Sequence, residues 1–166
     1  MMTLRRKLAL HCTAFLTLAF LLTACIHKQG GTPVTPLEKV ATYSATFAET
    51  NQAIEQGAEA LAASGVLPKD KAQLLISFNY RAADVHQQIT QVLGKGSAIT
   101  AADQASLTAL LEQIKASGVQ LVGDGSLGVK NPKSQNTIAQ DIQALVDLSE
   151  TILALIPQLS STTATS

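Results

Sequence analysis

Residues 35–65 read TPLEKVATYSATFAETNQAIEQGAEALAASG, and their spacing decides the fold. Thr35 is placed to cap a helix, with Pro36 at the first helical position and Glu38 three residues on. A hydroxyl at the cap and a carboxylate at N3 satisfy each other's backbone N–H groups, and proline supplies a preset φ where no N–H is needed. Apolar or small residues then recur at Leu37, Val40, Ser44, Phe47, Asn51, Ile54, Ala58 and Leu61. Steps alternating between three and four put one stripe on one helix face, the seam of a bundle. Gly65 is placed at the C′ position, so the first helix is expected to end at Ser64. Asn51 is the one amide in that seam. A buried polar group fixes register, and Asn79 on the next helix is positioned to answer it.

The pattern repeats downstream. A second helix runs from near Pro68 to Leu93, with its seam at Leu75, Phe78, Ala82, Val85, Ile89 and Val92, and is closed by Gly94 and Gly96. The connection Gly65-Val66-Leu67 is short, and short connections make antiparallel neighbours. A third helix starts at Thr100, with Asp103 at N3, and carries Leu107, Leu110, Leu111 and Ile114 on its buried stripe. Gly118 is expected to close it, leaving the third helix the shortest. A fourth starts at Asn131 with Pro132 at N1 and buries Ile138, Ile142, Leu145, Ser149, Ile152, Ile156 and Leu159. Val146 and Leu153 widen that stripe, leaving room for self-association or a partner helix. Pro157 is expected to end it. Residues 160–166 are rich in Ser and Thr and are expected to be a disordered tail.

Ala63-Ser64-Gly65-Val66 and Ala116-Ser117-Gly118-Val119 are near copies, and Pro68-Lys69 and Pro132-Lys133 each open the following helix. Two readings stay open: a duplicated hairpin, or two helices ending by one capping chemistry. Both give an all-α fold, a four-helix bundle of two antiparallel hairpins over residues 36–159.

Ahead of the bundle, Arg5, Arg6 and Lys7 precede an apolar run from Leu8 to Leu22. That order is the pattern of a secretory signal. The run is shorter than the roughly 20 residues of a membrane span. Leu22-Thr23-Ala24-Cys25 resembles the lipobox of bacterial lipoproteins. The resemblance implies that the Cys25 thiol takes a diacylglyceryl group, that residues 1–24 form a signal helix and are removed, and that the new amino terminus is acylated. It covers only this first part of the chain. Stable anchoring takes more than one hydrophobic chain, which such a cysteine supplies at one residue. Ile26 in place of an aspartate favours the outer membrane if the source is Gram-negative. Residues 25–35 would then be the acylated cysteine and a linker, broken up by Gly30, Gly31 and Pro33. The ten residues 26–35 reach about 30 Å fully extended.

Removing residues 1–24 from 166 leaves 142, which suits one domain with a real core. Without Arg5, Arg6 and Lys7, nine Lys and Arg face twelve Asp and Glu. A mildly acidic chain has no basic stripe for phosphates, so no nucleic-acid partner is expected. Cys12 would leave with the signal, and Cys25 would have no thiol partner for a disulfide.

No catalytic, cofactor or metal residues are expected. Gly123-Asp124-Gly125-Ser126-Leu127-Gly128 matches G-x-G-x-x-G in letters. It lacks the βαβ setting that brings a pyrophosphate to a helix start, although Val119–Val122 is read as a short extended piece. The stretch 119–131 reads instead as a loop whose apolar residues make a lid on the bundle end and whose length suits a partner site. His27 and His86 are the only histidines after the signal, and no Glu-x-x-His pair exists. Asp84 and His86 are two apart and do not face each other. His86 is expected to flank the seam, hydrogen-bonded to a neighbour, and Arg81 and Asp84 to lie on solvated surface. The expected function is that of a non-enzymatic envelope lipoprotein, bound to the membrane through Cys25 and meeting an envelope protein or a second copy of itself. The alternative is a carrier of a small apolar ligand, held between helices near Tyr43, Phe47 and Phe78.

Overall fold

The capping box at Thr35 forms as the sequence requires. Thr35 N–H donates to Glu38 Oε2 at 2.8 Å, and Glu38 N–H donates to Thr35 Oγ1 at 3.2 Å. Helix α1 (Pro36–Ala63) follows from it. The computed structural model describes residues 34–123, 127–129 and 132–159. The expected signal helix, Cys25, the linker up to Pro33, Asn131 and the tail 160–166 lie outside the described residues.

Helix α1 ends in a closed Schellman turn. Val66 N–H donates to Leu61 O and Gly65 N–H to Ala62 O, both at 3.0 Å. Gly65 has φ +69°, a backbone that a Cβ would strain. Leu61 and Val66 both pack against the core, the apolar contact that accompanies this turn. Helix α2 (Lys69–Leu93) leads through a 3-10 turn (Gly96–Ala98) to α3 (Ala101–Gly123). Thr100 caps α3 with Asp103, repeating the Thr35 device: Thr100 N–H donates to Asp103 Oδ2 at 2.9 Å. Helix α4 (Pro132–Leu155) runs into a second 3-10 turn (Ile156–Gln158) where Pro157 breaks the α-helical ladder. No strand occurs among the described residues.

Helices α1–α2, α2–α3, α3–α4 and α4–α1 touch, so the four close into a ring around one core. The α2–α3 interface is the thinnest. Antiparallel packing of α3 and α4 shows in their pairs: Lys115 reaches Glu150, while Gly118, further along α3, meets Val146, further back on α4. This is the expected four-helix bundle. Val34, the α2–α3 turn and Leu159 mark one pole. The Gly65 turn and Leu127–Val129 mark the other, about 42 Å away along a 28-residue helix.

The core is the predicted set of seams. Val40, Phe47, Ile54, Leu75, Ala82, Ile89, Leu111, Ile142, Leu145 and Ile152 are fully enclosed. Each large aliphatic or aromatic among them contributes about 1.5–3 kcal/mol by leaving water.

Four expectations fail in the second hairpin, for one reason. Helix α3 does not stop at Gly118 but continues to Gly123. Gly118 is helical and buried, and a Cβ built on it would lie 2.5 Å from Val146 Cγ2. The glycine is there so that α4 can come close. The ASGV echo therefore describes a helix end at Gly65 and a helix interior at Gly118, so one shared capping chemistry does not account for it. Val119–Val122 is helical, not extended, and the loop that follows starts after Gly123. Val146 is 2% exposed against α3, so its apolar width is used inside the bundle and not at a surface. Helix α3, with 23 residues, is still the shortest, one residue shorter than α4.

Candidate functional site

Two places attract attention: the expected lipidation residue Cys25, which lies outside the described residues, and a polar seam inside the first hairpin.

Asn51 enters the α1–α2 interface from the middle of the seam and is 7% exposed; Asn79 is 4% exposed. Asn51 Nδ2 donates to the backbone oxygen of Asn79 at 3.1 Å. The expected pairing of the two residues thus forms, through main chain and not amide to amide. It leaves Asn51 Oδ1 and both polar atoms of the Asn79 side chain buried with no hydrogen-bond partner. Ser44 Oγ and His86 Nδ1 are in the same condition. His86 is half-buried beside the seam as expected, but its Nδ1 lacks the neighbouring hydrogen bond. Ser149, at the matching depth on α4, is satisfied: its Oγ donates to Leu145 O at 2.9 Å. The sequence pointed to Asn51 and Asn79 but not to Ser44 and His86 as a second layer. The signal was present, because each lies seven residues from its asparagine, in opposite chain directions.

The second hairpin carries charge instead. Lys115 Nζ lies 3.2 Å from Glu150 Oε1 across the α3–α4 interface and 3.8 Å from Glu112 on its own helix. The hydrogen bond to Glu150 raises the Lys115 pKa, with Glu112 adding to it. At the α2–α3 turn, Lys95 bonds the Asp103 carboxylate. That bond, with the Thr100 N–H and hydroxyl, lowers the Asp103 pKa to about 2. Glu38 is lowered by the backbone N–H of Thr35. Burial raises Asp141 on α4.

The stretch read as an apolar lid is partly that. Leu127 and Val129 are buried, while Gly128, at φ +56°, lies beside Pro68 and Lys71 at the start of α2. Val119 is exposed on α3, and Leu121 is buried within that helix. Of the G-x-G-x-x-G letters, Gly123 ends a helix, and residues 124–126 lie outside the described residues. Among the described residues, no group of three metal-ligating side chains converges. No helix among them is long and apolar enough to cross a membrane. Phe47 and Phe78 fill the core, with Tyr43 half-buried at its edge.

Comparison with models of known families, with curated proteins and with solved structures finds no match to this chain.

Proposed function

We propose that this chain is a lipid-anchored envelope protein, held by an acylated Cys25, whose helical bundle serves as a non-enzymatic interaction or structural module. One observation carries the reading: Leu22-Thr23-Ala24-Cys25, after a basic and then apolar start, stands eleven residues before the capped first turn of α1 at Pro36. A folded unit that begins so soon after the cysteine suits a chain whose amino terminus is its membrane attachment. The tether enters at the Val34 pole, which leaves the Gly65 turn and Leu127–Val129 at the far end of the helices. Leu74, Ile76 and Tyr80 on α2 are exposed apolar side chains, and Tyr80 is 72% exposed. Ile76 and Tyr80, four residues apart, share a face that an envelope partner or a second copy would cover, whereas Leu74 lies on another.

Membrane fractionation of the wild type and Cys25→Ser, with intact-mass analysis of each, tests the anchor. The wild type is expected in the membrane fraction with a lipid-modified mass. Cys25→Ser is expected in the soluble fraction or as uncut precursor. A Cys25→Ser chain that is still cut and still membrane-bound refutes the proposal.

A further inference from the structure

We infer that the α1–α2 seam is a built site for one small neutral molecule that donates two hydrogen bonds and accepts one, namely a long-lived internal water at the Asn51–Asn79 layer, with Ser44 and His86 forming a second polar layer next to it. The argument begins with the unmatched atoms. Asn51 Oδ1 and Asn79 Oδ1 are two acceptors, and Asn79 Nδ2 is a donor, all buried and all without a partner. Exchanging O and N in the Asn79 amide leaves the same inventory, so the inference does not depend on that assignment. An occupant must give two hydrogens and take one. A metal ion or an ammonium accepts none, and a simple anion donates none. Both side chains are neutral, so nothing here holds a net charge. Water meets all three demands, and buried waters are found at such clusters of polar groups.

The register supplies the rest. The Asn51 Nδ2 bond to Asn79 O fixes which residues face each other. In an antiparallel pair, a step back on one helix matches a step forward on the other. Seven residues back from Asn51 is Ser44, and seven forward from Asn79 is His86. Both present an unmatched buried atom. Between the two layers, the same register sets Phe47 against Ala82; beyond the asparagines it sets Ile54 against Leu75. All four are fully enclosed. The asparagine layer is therefore walled by apolar side chains on both sides, which slows exchange of its occupant with bulk water.

The test is rotating-frame water–protein NMR on the ¹⁵N-labelled full chain, read at the side-chain amides of Asn51 and Asn79. Cross-peaks to water of opposite sign to the diagonal are expected at both amides, since dipolar contact has that sign and proton exchange does not. They must persist in Ser44→Ala, which removes the hydroxyl of the second polar layer, and disappear at Asn51 in Asn79→Leu. Absence of the cross-peaks in the wild type, or their loss in Ser44→Ala, overturns the inference, and both readings stand even if Asn79→Leu fails to fold.

Discussion

Helices α1 and α2 face each other across Asn51 and Asn79, whereas α3 and α4 face each other across Gly118 and Val146. Both pairs are antiparallel and bury a stripe of similar apolar character. They differ in what sets the register. In the first hairpin a single amide reaches the opposing main chain at 3.1 Å, and unmatched polar atoms remain around it. In the second, a missing side chain lets Val146 and Ile142 press against the helix backbone, and Lys115 spans the interface to Glu150. A polar layer penalises misalignment because a slipped amide loses its bond; a glycine notch penalises it because a slipped valine meets a side chain. The first device ties stability to its occupant, since each buried polar group left unmatched there would cost about 1–3 kcal/mol. The second costs helix propensity, about 1 kcal/mol for a glycine in place of alanine.

Gly118→Ala should break the second device and give the largest effect. The added methyl overlaps a valine that is itself enclosed, so the overlap outweighs the propensity gain, for a net loss of about 1–3 kcal/mol in denaturant unfolding. Gly57→Ala is the matched control on α1. There the nearest atom is Ile138 Cγ1 at 3.8 Å, an ordinary contact, so the same change should stabilise by about 1 kcal/mol. If both glycines behave alike, the notch is not what holds α3 to α4.

Asn51→Leu sharpens the other side of the comparison. It removes the bond to Asn79 O and one partner of the internal water, so Tm should fall, with a loss of about 1–3 kcal/mol. A rise in Tm would mean that Asn51 serves register alone and that no satisfied polar layer surrounds it.

The smallest effect is expected at the turn that joins the hairpins. Asp103 has its pKa lowered from 3.8 to about 2 in the folded chain, so the stability that it supplies is fully present above about pH 4 and is lost as pH falls through about 2. Asp103→Asn should flatten the acid limb of the stability–pH curve over that interval, and added salt should weaken the contribution from exposed Lys95. An unchanged acid limb would show that the cap does not couple the hairpins.

Much of this was legible in the residues. The Thr35 and Thr100 caps, the Gly65 turn and the four apolar seams follow from local chemistry and from helical period, which a single chain displays in full. Gly118 reads as a helix stop because glycine after an apolar run is the usual sign of a helix end. Its other use, admitting a neighbouring helix, has no local signature. Likewise the apolar breadth of α4 at Val146 reads as a surface in one dimension, whereas α3 covers it in the fold. The Asn51–Asn79 contact was anticipated from seam position, but its use of the main-chain oxygen, and the second layer at Ser44 and His86, required both helices in register.

By itself the sequence determined that this is an all-α chain of capped amphipathic helices, and where each apolar face lies. It also carries the lipobox-like Leu22-Thr23-Ala24-Cys25 on which the proposed anchor rests. Only the tertiary structure decided which glycine ends a helix and which lies within one, and which polar atoms are left inside without partners. Capping and periodicity are set by neighbours within a turn or two along the chain. Close approach and polar satisfaction are set by residues far apart in sequence, and those meet only when the bundle closes.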